Sequence, residues 1–360
     1  MIFIFLILLI APLVSYGQTI SSTRGAVSGG ATITISGSSF GSKSPAAPLY
    51  FSNFDTDTIS GVPDGWSVSA GEDYTYVDDT ESWSGANSLR FEIQTGISFV
   101  QLLRDLGEHT KTIYFSTSLL IDKTGTAPDI QFKAWRYTSS PSGYYYNEEA
   151  TTTSVINNFF YYNDSYWANT NTYIRYDGGS EFPVNVGSAS DAMVVGEWQR
   201  VEQWVIGSSS AGASDATLGM YRVGRASALQ DEDGFVSYDS DDLNYRYFML
   251  GETWRNKDYS VSADIYYDDV YIDNTVARVE IGDTPSLIDC THREIQLPTS
   301  WSATEISITV NQGTFIADDS AYLFVVDADG NVSDGYAITI GASESASITA
   351  PTNLAATRTP

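Results

Sequence analysis

Apolar residues recur at every second position along much of this chain, in short runs separated by Gly, Ser, Thr, Asn and Asp. Residues 88–94 (SLRFEIQ) set Leu89, Phe91 and Ile93 against Arg90, Glu92 and Gln94. Residues 129–137 (DIQFKAWRY) set Phe132 and Ala134 against Gln131, Lys133, Trp135 and Tyr137. The period of two returns in 265–272, residues 197–206, 218–223 and 245–251 are further candidate strands, and 111–121 is apolar enough for a central strand. A period of two is the mark of strands with one buried face, and no segment keeps a helical period over two turns. The expectation is an all-β chain whose larger part is two packed antiparallel sheets.

The two ends of the chain carry a second pattern. Ile33 and Ile35 alternate between the pair Gly29-Gly30 and Gly37, and the turn Ser36-Gly37-Ser38-Ser39-Phe40-Gly41 follows. Residues 301–310 (WSATEISITV) and 321–341 (AYLFVVDADGNVSDGYAITIG) alternate in the same way. Together these pieces resemble the IPT/TIG immunoglobulin-like domain, with Phe40 as core plug. Its pattern breaks off after KSPAAP (43–48) and resumes near Arg278. The intervening region resembles the concanavalin A-like lectin/glucanase superfamily, and its polysaccharide-lyase-like members more narrowly. The matching pieces are Gly85-Ala86-Asn87-Ser88-Leu89-Arg90-Phe91-Glu92, Trp198-Gln199-Arg200-Val201-Glu202 and the closing strand 265–272.

The resemblances imply five segments. Residues 1–17 are expected to form a signal peptide, with a transmembrane anchor as the rival reading: 2–14 are apolar but for Pro12, too short to span a bilayer comfortably, and cleavage is expected near Gly17–Gln18. Residues 18–47 and 276–342 are the two parts of the Ig-like domain. Residues 48–275 are a concanavalin A-like jelly roll inserted between them. Residues 343–360 are a linker whose 350–354 (APTNL) resembles the start of a fibronectin type III module, so further modules are expected at the C-terminus.

Composition narrows the chemistry. With 18 basic against 45 acidic side chains the formal charge is −27, which argues against nucleic acid as partner. A single cysteine, Cys290, excludes an intrachain disulfide, and two histidines leave little for a His-based metal site or triad. The aromatic share is 13%, led by 24 Tyr. Sugar recognition combines aromatic faces with planar polar side chains. The candidate substrate-binding residues are Arg90, Glu92, Gln131, Lys133 and Trp135 on strands, and Tyr144, Tyr145, Tyr146, Tyr161 and Tyr162 in loops. These tyrosines either form a sugar platform or pin long loops to the sandwich edge.

Two enzymatic readings are weaker. The resemblance to alginate lyases implies an R-x-E-x-R strand and a Q-x-H pair. Arg90 and Glu92 match, Gln94 replaces the second Arg, and no Q-x-H occurs. Elimination would need Lys133 or Arg90 to neutralise a uronate and a loop Tyr as acid and base. The paired-carboxylate strand of a retaining glucanase is absent. Asp268 and Asp269 are the candidate ligands for a structural calcium; no other cofactor is expected. Asp327-Ala328-Asp329-Gly330-Asn331 resembles half an EF-hand loop but lacks its closing Glu, and reads as a hairpin turn. The function expected is a secreted, extracellular or cell-surface polysaccharide-binding module of lectin-like type. A polysaccharide lyase acting by β-elimination and a non-catalytic structural or adhesive protein remain as alternatives.

Overall fold

The computed structural model describes residues 17–94, 100–124, 131–139, 155–163, 166–175, 182–186, 193–225, 229–238, 244–251, 253–254, 262–341 and 343–344. The chain is all-β. It begins with β1 (Thr19–Ala26), β2 (Thr32–Ser38), β3 (Tyr50–Ser52), β4 (Ser67–Ala70), β5 (Thr75–Asp78), β6 (Ser88–Ile93), β7 (Gln101–Thr110) and β8 (Thr112–Thr124). It continues through β9 (Gln131–Thr138), β10 (Val155–Asn163), β11 (Tyr166–Arg175), β12 (Phe182–Val186), β13 (Gln199–Ile206), β14 (Ala216–Arg222), β15 (Gln230–Phe235) and β16 (Tyr245–Leu250). It ends with β17 (Thr253–Trp254), β18 (Ser262–Asp273), β19 (Arg278–Gly282), β20 (Arg293–Ile295), β21 (Leu297–Trp301), β22 (Glu305–Thr309), β23 (Ser320–Val326), β24 (Tyr336–Thr339) and β25 (Ser343–Glu344).

Two eight-stranded antiparallel sheets form the larger sandwich, of jelly-roll type. One runs β15-β14-β13-β8-β18-β6-β5, with β3 beside β18; the other runs β12-β11-β10-β9-β16-β7-β4, with β17 beside β9. Their inner faces meet in one apolar core that includes Phe91, Phe115, Trp135, Phe248, Ile265 and Tyr267. The alternation of β6 does what its pattern predicts: Leu89, Phe91 and Ile93 are buried there, while Arg90 and Glu92 face outward.

Two smaller sheets, β21-β22-β2-β1-β25 and β20-β19-β23-β24, enclose a second core. It joins Ile33, Ile35 and Phe40 from the start of the chain to Ile281, Ile306 and Leu323 from its end. β2 pairs antiparallel with β22, Ile35 opposite Ile306. Gly37 is required here because a Cβ would stand 2.4 Å from the Phe40 ring and 2.0 Å from the Thr19 carbonyl oxygen. The 327–331 segment is a turn, with Asp327 Oδ1 accepting from the Asp329 and Asn331 N–H groups.

One sequence expectation changes here. Residues 159–167, expected as loop, lie largely on β10 and β11, which pair in register from Val155↔Arg175 to Asn163↔Tyr166. Their Asn- and Thr-rich stretches lack apolar alternation, so the pattern alone carries no strand signal. The acidic run 231–233 lies on β15.

Candidate functional site

The expected strand residues divide between the two large sheets. Arg90 and Glu92 are on β6, whereas Gln131, Lys133 and Trp135 are on β9 in the opposite sheet, so the two groups do not lie on adjacent strands of one face. The Arg90 guanidinium lies 3.0 Å from Asp78, 3.1 Å from Glu92 and 3.1 Å from Asp264. It also sits over the rings of Tyr76 and Tyr266. Surrounded by three carboxylates, it has no surplus charge with which to neutralise a uronate.

Trp135 is a core residue, 1% exposed, and cannot serve as an open sugar platform. Its ring packs at 4.9 Å from that of Phe115, and its indole N–H donates to Gln203 at 2.8 Å. The correction has a simple cause: the side of β9 carrying Trp135 faces the other sheet, and a buried partner for the indole N–H makes that burial favourable. In the β9–β10 ladder Gln131 pairs with Tyr161 and Lys133 with Phe159, with a bulge at Ala134. Tyr162 lies on β10 opposite Trp167. Tyr144, Tyr145 and Tyr146 lie outside the described residues.

Asp268 and Asp269 come together with loop 83–84 at a register shift in β18. Asp268 Oδ2 accepts the Trp83 and Ser84 N–H groups at 2.8 and 3.0 Å, and Oδ1 accepts that of Asp269 at 2.7 Å. Asp269, at φ 47°, accepts the Ser84 hydroxyl at 3.3 Å. Both of Asp268's oxygens are thus taken by N–H donors. Among the described residues no three Asp, Glu, His or Cys side chains converge as a metal site would need. The donor set does not fit calcium, which takes six to eight oxygens. Burial pushes the Asp268 carboxyl up to about 8 despite its three donors. Burial, with Asp268 and Glu294 nearby, holds Asp269 well above the carboxylate range.

A further site forms where the sequence reading marked a strand of the fold and no functional residue. The outer face of β13 and β8 packs against the outer face of β19 and β20, joining the two sandwiches. The same tripeptide, Arg-Val-Glu, occurs on both sides: Arg200-Val201-Glu202 on β13 and Arg278-Val279-Glu280 on β19. In each, Val points into its own core and the charged pair points to the junction. Arg278 contacts Glu280 at 2.5 Å and Glu202 at 3.7 Å, Arg293 contacts Glu202 at 2.7 Å and Glu280 at 3.5 Å, and Arg200 contacts Glu280 at 3.2 Å. The Tyr114 hydroxyl donates to Glu202 at 2.6 Å. Burial alone would push the Glu202 carboxyl up, but Arg293, Arg278 and Arg200 outweigh it and hold it well below the usual range. Glu280 is held down by the same contest. Lys43, on the connection between β2 and β3, and Asp273, at the end of β18, form a further buried pair at 2.5 Å. The repeated tripeptide is the one signal of this junction in the sequence; that the two copies face each other is not readable there.

Beside this network opens a cleft of about 490 Å³. Glu202, Arg278 and Arg293 line its floor, Trp204 and Tyr221 one wall, and Leu287, Ile288, Val326 and Val332 the other. Register sets Tyr221 opposite Glu202 and Gly219 opposite Trp204. With no side chain at Gly219, the indole lies flat over the neighbouring strand; a Cβ there would be 2.2 Å from the ring. The indole is thereby stacked on Tyr221, with centroids 5.1 Å apart and planes 11° apart.

The IPT/TIG domain family profile matches residues 18–96. That stretch runs through both sandwiches: β1 and β2 belong to the smaller, β3 to β6 to the larger. No curated protein sequence matches the chain. Among solved structures, the chain is similar to alginate lyase vAL-1 from Chlorella virus, with 12% identity and TM-score 0.45 over 59% of this chain and 93% of that one. It is also similar to a Bacteroides ovatus mixed-linkage glucan GH16 protein, with 10% identity and TM-score 0.41 over 62% and 99%. The CBM22-1 xylan-binding domain of Paenibacillus barcinonensis Xyn10C aligns with 11% identity and TM-score 0.30 over 64% and 97%.

Proposed function

We propose that the protein is a secreted polysaccharide-binding module of lectin-like type. A jelly roll of residues 48–275 is inserted into an IPT/TIG-type domain made of 18–47 and 276–342, behind a signal peptide of 1–17. Residues 343–360 lead toward a further module. The pairing of β2 with β22 and their shared core support the insertion. The observation that carries the binding role is the flat Trp204–Tyr221 pair in a cleft whose floor holds fixed guanidinium and carboxylate groups. Aromatic faces pack on the C–H faces of sugars, and planar polar groups meet hydroxyls. Binding fits this site better than turnover, because Glu202 is locked in its ionised form and has no proton to give.

The test is a glycan-array screen of the chain from Gln18, followed by titration with the best ligand. Trp204→Ala should weaken binding at least tenfold, about 1.4 kcal/mol. Gly219→Ala, which keeps both rings but displaces the indole, should also weaken it. A chain that binds no neutral or acidic polysaccharide, or binds one equally well without Trp204, overturns this reading of the cleft.

A further inference from the structure

The walls of the junction cleft differ in chemistry, and that difference points to the kind of sugar it takes. The wall from the larger sandwich carries the rings of Trp204 and Tyr221 beside Ile206 and Thr217, whereas that from the smaller one carries Leu287, Ile288, Val326 and Val332 beside Gly330 and Asp329, whose carboxylate opposes an anionic ligand. Ile288 is 60% exposed and Val332 44% exposed, two of the five large apolar side chains left exposed among the described residues. Ile288 stands on the short turn Leu287–Asp289. Val332 is set there by an antiparallel bridge to Val326. Neither belongs to the apolar core of its own sandwich, so folding does not account for them. Exposed aliphatic side chains gathered on a cleft wall mark a surface that receives apolar atoms.

The floor offers no free charge. Arg200, Arg278 and Arg293 are balanced by Glu202, Glu280 and, facing Arg200, Glu294. The overall charge of −27 opposes the approach of a polyanion. A ligand that uses both walls is uncharged, lays one face on Trp204 and Tyr221, and turns an apolar group toward Ile288 and Val332.

We infer that the cleft binds a neutral glycan bearing a methyl group, either on an O-acyl ester or as the C6 methyl of a deoxy sugar; this rests on the carbohydrate reading of the cleft. Calorimetric titration with two matched pairs of oligosaccharides tests it: O-acetylated against de-esterified, and 6-deoxy against its hydroxymethyl counterpart. The methyl-bearing member of one pair should bind about fourfold tighter per buried methyl, the equivalent of about 0.8 kcal/mol. The pair that shows the preference identifies the source of the methyl. Ile288→Ser and Val332→Ser, both at exposed positions, should erase the preference, so that the methyl-bearing member then binds no tighter than its partner. Equal affinity within both pairs, or a preference that survives both substitutions, overturns the inference while leaving the carbohydrate reading intact, provided Trp204→Ala still weakens binding. Absence of binding to any glycan, or tighter binding of an apolar peptide, overturns both.

Discussion

At the junction, three guanidinium groups and two carboxylates lie buried and linked by ion pairs of 2.5 to 3.7 Å. Two strands away on the same sheet, Asp268 and Asp269 are equally buried, with no ion-pair partner among the described residues. The two regions meet the same desolvation in opposite ways. Opposite charges keep Glu202 and Glu280 ionised, whereas backbone N–H donors and a hydroxyl leave Asp268 and Asp269 inclined to hold protons. Hydrogen bonds alone do not replace a countercharge in a buried site. The junction is therefore an electrostatic joint between two sandwiches, and the aspartate pair is an anchor for one loop.

Breaking the balanced cluster should have the largest effect. Glu202→Ala leaves Arg293 and Arg278 facing one carboxylate and should cost about 3–5 kcal/mol. Urea unfolding at pH 7, followed by tryptophan fluorescence, measures it. A loss below about 1 kcal/mol would mean that the cluster is solvated and that its contrast with the aspartate pair is lost.

Relieving the unbalanced pair should act in the other direction. Asp269 and Asp268 have folded pKa values above that of the unfolded chain, so their contribution to stability is fully present below about pH 4 and is lost as pH rises, for Asp268 through about 8. Glu202 and Glu280 have folded values below the unfolded one, so theirs is present above about pH 4.5 and is lost as pH falls. Asp269→Asn keeps the shape and tolerates the positive φ. It should stabilise the protein at pH 8 and flatten the alkaline side of the stability profile. Thermal melts from pH 4 to 9 check both; an unchanged alkaline side in the variant would show that the pair is not strained by its charge.

The smallest effect is expected where similar charges meet water. Arg90 is ringed by Asp78, Glu92 and Asp264, but its side chain is 20% exposed. Arg90→Met should cost about 0.5–1 kcal/mol, and the difference should shrink in 1 M salt. A cost as large as that of Glu202→Ala would place the two clusters in the same class.

Much of the strand pattern is legible in the sequence. β6, β8, β13, β14, β16 and β18 fall where the alternating and apolar runs put them, because a strand with one dry face repeats every second residue and a central strand is apolar throughout. Phe40 and Gly37 are readable for the same local reason. The site is not. Trp135 looks like an outward aromatic beside Lys133, yet which side of β9 is dry depends on the sheet it faces. Phe159 and Tyr161 look like loop residues because their neighbours Asn157, Asn158 and Asn163 are polar, while a strand between two paired strands needs only its backbone satisfied.

The sequence by itself determined the all-β class and the period-two elements, since both follow from local patterning and turn chemistry. It also held two copies of Arg-Val-Glu, 78 residues apart by their numbers, without saying what they were for. Only the tertiary structure decided that these copies face one another, that Arg293 completes the network, and that Trp204 and Tyr221 form one wall of a cleft closed by Ile288 and Val332. Desolvation and pairing depend on which surfaces meet, and contacts between β13 and β19 are long-range by nature. A one-dimensional pattern records which residues want burial, but not the partner that makes burial of a charge affordable.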